Sequence, residues 1–253
     1  MNQSHEPSHH VERVFIDTNE LFPFTVMDVL LTLCENRLFR WVWTDELLAE
    51  WEDVIVREHQ RSPESARSIT AAVRVHFSAG RIDPADYRDR ITDDLSPDPG
   101  DRAHVAACLG GHVNVLLTRN VKDYRSAALV QHGVRVLTAD DYLRALEQRH
   151  PIAVLGSFIA TANARKRPPV TPHELADRIA AAGAAEFANR IRESCRCQMV
   201  LRTVARRDSR SSRGPGRPDF RRPNPRRSQF RRSQFRRSQL CRPRPRRPRP
   251  RGQ

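Results

Sequence analysis

The chain has no apolar run approaching the ~20 residues that a membrane span requires, and Met1 to His10 are polar, without the apolar core of a secretory leader. Both absences make a cytoplasmic, reduced protein the expectation. The five cysteines, Cys34, Cys108, Cys195, Cys197 and Cys241, are odd in number and lack paired spacing. That argues against a disulfide framework and a four-ligand zinc site, and Cys195-x-Cys197 has no second pair to complete one. A Ser/His/Asp order, a Gly-rich phosphate loop and a Cys/His pairing are also missing, so triad and P-loop chemistry have no carrier here.

Acidic residues almost vanish at the C-terminal end. From Arg196 to Gln253 there are 21 arginines against Asp208 and Asp219, a balance of +19 that leaves −5 of the total +14 for residues 1–195. The pI of 11.0 therefore belongs to the tail. The tail repeats Arg-Arg-Ser-Gln-Phe at 226–230 and 231–235, nearly again at 236–240, and ends in Arg/Pro alternation. A five-residue period matches no folding unit, and so few apolar residues cannot offset chain entropy, so disorder is expected over 196–253. It reads either as a nonspecific RNA or DNA tether, with Phe230 and Phe235 available for stacking, or as a repeat-expanded extension with no selected role. A basic footprint ordinarily marks a nucleic-acid partner, but on a segment that does not fold it says little about the partner of the folded part.

What remains alternates strand and helix signals. Arg13-Val14-Phe15-Ile16 reads as a short buried strand, turning through Asp17-Thr18-Asn19 into a helix over Val26 to Leu33. Trp41-Val42-Trp43 is a second strand, and Thr44 suits the N-cap of a helix through Leu47, Trp51 and Ile55. Ser62-Pro63-Glu64 opens another helix ending at Gly80. A breaker-rich polar loop follows through Ile82-Asp83-Pro84 and Ser96-Pro97-Asp98-Pro99-Gly100, and Asp101 begins a helix over Arg102 to Leu109. Val113 to Thr118 is the clearest strand. A short helix at Ala127 to Gln131, a strand at Val134 to Leu137 and a helix at Ala139 to Gln148 complete the series. Elements alternating at these intervals predict right-handed crossovers and a parallel sheet covered on both faces. Beyond it, Pro151 to Asn163 and Thr171 to Arg192 read as Ala-rich helices, the second opened by a capping box at Thr171-Pro172-His173-Glu174. The expected organisation is a lead over 1–11, an α/β domain over 12–148, a helical extension over 149–195 and the tail over 196–253.

The acids carry the chemistry. Asp17 follows the first strand, Asp98 and Asp101 precede the clearest one, and Asp123 follows it. If the apolar runs are neighbouring parallel strands, these acids meet at one carboxyl edge, where open α/β sheets place their sites. Clustered carboxylates repel one another, and such a group persists mainly when a hard cation such as Mg²⁺ binds it. That points to metal-assisted phosphate chemistry. On the helix after the second strand Glu46 and Glu50 share a face, with Asp53 close to it. Asp98 reads as a turn residue before Pro99-Gly100, and His104 and His112 as exposed or boundary residues, since oxygen ligands suit Mg²⁺. Trp41, Trp43 and Trp51 read as core.

Four segments, Val14-Phe15-Ile16-Asp17-Thr18-Asn19, Leu47-Leu48-Ala49-Glu50-Trp51, Asp98-Pro99-Gly100-Asp101-Arg102-Ala103-His104-Val105 and Leu117-Thr118-Arg119-Asn120-Val121-Lys122-Asp123-Tyr124, together resemble the PIN-domain nucleases, and among them the VapC-type toxins of toxin-antitoxin operons. The helices after the sheet resemble the C-terminal extension of one subgroup. The Arg-rich tail matches nothing in the family. The resemblance implies a PIN-like α/β fold with a parallel sheet of four to five strands, and an endoribonuclease leaving a 5′-phosphate and a 3′-hydroxyl on structured RNA such as tRNA or rRNA. It implies Mg²⁺, with Mn²⁺ as a substitute, held by Asp17, Asp101 and Glu50. Glu50 is favoured over Glu46 mainly on this ground. Asn120 and Asp123 become the final polar pair, and Thr18 and Thr118 orient ligands through their hydroxyls. Related sequences often carry Asp at position 120, so one charge is absent here. A cognate antitoxin and a homodimer are the partners it implies.

Two other classes compete. A nucleic-acid-binding protein working through the Arg-rich tail predicts binding without cleavage, with a steep salt dependence. A receiver-like or phosphatase-like domain also gathers aspartates at strand ends, but the Asp-x-Asp pattern and a well-placed Lys after a late strand are missing.

Overall fold

Val14, Phe15 and Ile16, and likewise Val115, Leu116 and Leu117, are wholly buried along their length, with no polar face turned to water. Runs apolar on both faces demand cover on both sides, which a parallel sheet between helices supplies. The computed structural model describes residues 11–124, 126–166 and 168–197. Residues 198–253 of the expected tail, most of the lead, and with them Phe230, Phe235 and Cys241, lie outside the described residues, while Arg196 and Cys197, expected in the tail, are helical.

Four strands, β1 (Arg13–Ile16), β2 (Arg40–Val42), β3 (Val115–Leu117) and β4 (Arg135–Leu137), pair in the order β2-β1-β3-β4, all parallel. The sheet is the four-stranded member of the expected range; β1 has the expected bounds, β2 is shifted by one residue, and β3 and β4 are shorter than the runs that announced them. Ile16 pairs with Leu117, and the ladder runs one step further as Asp17 N–H donates to Leu117 O and Thr118 N–H to Leu137 O, both at 2.9 Å. Asp17 and Thr118 are thereby placed side by side at the carboxyl ends of the two central strands.

The helices are α1 (Thr18–Leu21), α2 (Phe24–Glu35), α3 (Asp45–Arg57), α4 (Pro63–His76), α5 (Pro84–Tyr87), α6 (Pro99–Gly110), α7 (Ala127–Gln131), α8 (Ala139–Arg149), α9 (Pro151–Ala164) and α10 (Pro172–Ala181), followed by helical residues 185–197, here α11. Caps chosen from sequence are in place: Thr44 accepts from Leu47 N–H, and Thr171 and Glu174 form the reciprocal capping box. Trp41, Trp43 and Trp51 are core residues, each no more than 1% exposed.

Three expectations need correction. The breaker-rich loop is not featureless, because Asp83 caps α5 through Ala85 N–H and Pro84 starts it. The helix bearing Asp101 begins earlier than expected: Asp98 accepts from Gly100 N–H at 2.8 Å and Pro99 takes the first position, where its missing N–H costs nothing. The run from Thr171 to Arg192 is two helices, since Gly183 takes φ +101° and turns the chain between α10 and α11.

The helices after the sheet are bound to α2 and to one another. Along α9, Ser157 accepts from Asn36, Thr161 donates to Thr32, and Arg165 pairs with Asp28 at 3.0 Å, fastening α9 to α2. Asp140 on α8 accepts from Phe187 N–H at 2.8 Å, holding the start of α11.

Candidate active site at the carboxyl edge

Asp17 follows β1 and precedes α1, where a carboxylate commonly caps the helix through its side chain. It does not do so here. Its carboxylate turns to β3 instead: Oδ2 accepts from Thr118 Oγ1 and from Asn19 Nδ2, each at 2.7 Å. Thr118 Oγ1 is itself steadied by Asn19 Nδ2 at 3.0 Å and Asn120 N–H at 3.1 Å. Asp17 is only 5% exposed, so these donors replace the water it has lost.

Thr18 brings in the helix acid. Its hydroxyl carries one proton and lies 2.5 Å from Glu50 Oε1 and 3.3 Å from Asp17 Oδ1. The shorter contact takes the proton, so Asp17 Oδ1 is the less satisfied oxygen of the pair. Glu50 Oε2 faces His104 Nε2 at 3.3 Å. On the other side of that ring, Nδ1 lies 3.3 Å from the Tyr124 hydroxyl, which donates to Asp101 Oδ1 at 2.7 Å. Among the described residues, Asp101 Oδ2 accepts no hydrogen bond.

Burial raises the Asp101 carboxyl above its ordinary value, the nearby charges of Asp17 and Asp98 add to the rise, and the Tyr124 hydroxyl and His104 oppose it. Burial, then the charges of Asp17 and Asp101, push the Tyr124 phenol far up, so it stays a donor.

Asp17, Thr18, Thr118 and Glu50 thus form one hydrogen-bonded group and Asp101 with Tyr124 and His104 another, and the His104–Glu50 contact joins the two into one network. Asn120 and Asp123 do not join it through their side chains; both are exposed on the turn after β3, where Asp123 N–H donates to Asn120 O at 2.9 Å. Glu46 points away, accepting from Tyr87 and from Arg88 at 2.7 Å, and Asp53 is exposed. His112 is exposed at φ +49°, whereas His104, expected at an exposed or boundary position, is 4% exposed and tilts against Phe15 at 5.5 Å between ring centroids. Its spacing from Asp101, three residues on one helix, puts both on the same face and was the available signal. Asn19 and Tyr124 gave none, because nothing in their types or spacing reveals a bond to an acid on another element.

Among the described residues, no three His, Cys, Asp or Glu side chains gather into a ready chelating group. A divalent cation that keeps several of its waters needs only one or two carboxylates beside a substrate phosphate. Asp17 Oδ1 and Asp101 Oδ2, hard oxygens short of protein donors, fit such an ion.

The PIN domain model matches residues 13–122, and the VapC50 C-terminal domain model matches residues 139–193. No curated protein and no solved structure matches the chain. The first match spans β1 to β3 and every acid of the network; the second begins at α8 and takes in the helices after the sheet. PIN domains are generally nucleases and usually use divalent metal ions. The chain thus carries a PIN domain followed by a VapC50 C-terminal domain, an order consistent with a VapC-type PIN toxin.

Proposed function

We propose that the protein is a Mg²⁺-dependent endoribonuclease acting as the toxin of a toxin-antitoxin pair, hydrolysing RNA phosphodiesters to leave a 5′-phosphate and a 3′-hydroxyl. The supporting observation is the network at the sheet's carboxyl edge, which holds Asp17, Glu50 and Asp101 together yet leaves Asp17 Oδ1 and Asp101 Oδ2 short of donors. Asp17 and Asp101 would hold Mg²⁺, which would supply a Lewis acid for a nonbridging phosphate oxygen and a water of lowered pKa for in-line attack. Thr118 and Asn19 fix Asp17, and Thr18 fixes Glu50, which orients the attacking water. Asn120 and Asp123, on the exposed turn, meet the RNA only when it is bound. Structured RNA such as tRNA or rRNA is the expected substrate. A cognate antitoxin and a second copy of the chain are the expected partners, and the cytoplasm is where they would meet; among the described residues no helix is long and apolar enough to cross a membrane.

His104 belongs to this reading as a residue that keeps Glu50 and the Tyr124–Asp101 pair in register. His104→Ala is expected to lower the cleavage rate about tenfold, the lower end of what losing an outer partner costs at a metal site, with little change in KM. His104→Gln, which restores two polar atoms, is expected to recover part of that loss. Steady-state kinetics on a defined RNA measures both.

The deciding experiment is cleavage of total RNA by the whole chain and by residues 1–197, each with Mg²⁺ or EDTA. Metal-dependent cutting that survives removal of the tail supports the nuclease reading. Binding without cleavage, lost with the tail, would transfer the function to the Arg-rich segment.

A further inference from the structure

Arg119 stands between the network and the C-terminal domain. Its backbone N–H donates to Asn19 Oδ1 at 3.0 Å, which sets the amide so that Nδ2 meets Asp17 Oδ2. Its side chain runs the other way. Nη2 donates to Ala182 O at 2.5 Å, in the turn between α10 and α11, and Nε lies 3.3 Å from Glu20 Oε2. Glu20 is 3% exposed, and its other oxygen accepts from Ala139 N–H at 2.9 Å, at the start of α8. A carboxylate so deeply buried is tolerable only with a counter-charge and filled lone pairs, and Arg119 with Ala139 supplies them.

The turn that receives the guanidinium is shaped for it. Gly183 has φ +101°, which side chains rarely adopt, and a Cβ there would come within 3.2 Å of Arg119 Nη2. Glycine therefore both makes the turn and leaves room for the cation.

We infer that Arg119 is a positioning residue for the Asp17 site, and that the Ala182–Gly183 turn of the C-terminal domain is the stop against which it is set. The C-terminal domain is then a working part of the catalytic edge, because displacing residue 182 moves Arg119, Asn19 and the carboxylate of Asp17 in turn. The functional consequence rests on the nuclease reading above; the wiring itself exists without metal.

The test uses the full chain and two readouts. One is the side-chain amide signal of Asn19 in a nitrogen-15 NMR spectrum of the metal-free protein. The other is affinity for Mn²⁺ alone, by calorimetry. Arg119→Ala is expected to shift or broaden the Asn19 signal and to weaken Mn²⁺ binding about tenfold, in line with the loss of outer partners at metal sites. Arg119→Lys, keeping the charge with fewer donors, should recover part of the affinity. Arg190→Ala is the control: it strips Glu147, 5% exposed, of its partner at 2.6 Å within the C-terminal domain. It should lower the melting temperature while leaving both readouts in place. If Arg119→Ala does not fold, Glu20→Gln weakens the same guanidinium and should act in the same direction. An unmoved Asn19 signal, or an equal response to Arg190→Ala, overturns the inference. A moved signal in a protein that binds no Mn²⁺ overturns the nuclease reading and upholds the wiring.

Discussion

Asp17→Asn is expected to abolish metal-dependent RNA cleavage while leaving the sheet in place. The side chain accepts from Thr118 and Asn19 on one oxygen, and asparagine keeps one acceptor for them, so the central β1–β3 junction survives. What is lost is the charge on the oxygen left short of donors. Removing an outer partner of a metal typically costs ten- to hundredfold, so removing a direct ligand should cost at least about a hundredfold. Without metal, the variant should be as stable as the parent or slightly more so, because the Asp17 charge is one of the influences raising the Asp101 carboxyl. Thermal unfolding separates the two effects. At a Mg²⁺ concentration 100 times its dissociation constant, binding adds about 2.7 kcal/mol, and that increment should be present in the parent and missing in the variant. Undiminished cleavage by Asp17→Asn would sink the assignment of the site.

That outcome also separates the edge from the tail. Arginines binding RNA through phosphates release counterions, so their affinity falls steeply with salt and does not depend on Asp17. Cutting at the edge depends on Asp17 at any salt concentration.

The sequence carried the sheet because its two central strands are apolar on both faces: Val14 to Ile16 and Val115 to Leu117 have one environment available to them, and parallel pairing between helices is how a chain provides it. Capped helix starts such as Thr44 and Thr171 were legible for a similar reason, since cap and partner lie within four residues. Places where distant residues decide were not legible. The break at Gly183 receives Arg119, more than 60 positions earlier, and from composition alone the Ala-rich stretch continues as one helix. His104 looked like a boundary residue because its helix neighbours give no hint of Glu50 and Tyr124, which reach it from α3 and from the turn after β3. The acids at strand ends announced the edge, but the hydroxyls and amides that hold them belong to other elements and emerged only with the fold.

The contrast between Glu50 and Glu46 is the sharpest case. Both project from one face of α3, and spacing could not separate them. Glu46 spends its oxygens on Tyr87 and Arg88; burial alone would raise its pKa, but the Tyr87 hydroxyl and then Arg88 outweigh burial and hold it below the usual glutamate range. The stability it lends is therefore present above the ordinary glutamate pKa and lost as pH falls through its lowered one. Glu46→Gln should leave cleavage within about twofold and cost about 1 kcal/mol or less, as partly exposed ion pairs do. Glu50→Gln should behave in the opposite way. An amide oxygen still accepts from Thr18, so melting in EDTA should hardly change. The charge facing the network disappears, however, and cleavage should fall about a hundredfold, at the upper end of the range for groups that tune a metal site. Measuring kcat and EDTA melting temperature for both variants tests the pair together. If Glu46→Gln kills cleavage while Glu50→Gln spares it, the helix acid has been assigned to the wrong turn of α3, and the network through Thr18 and His104 is scaffolding.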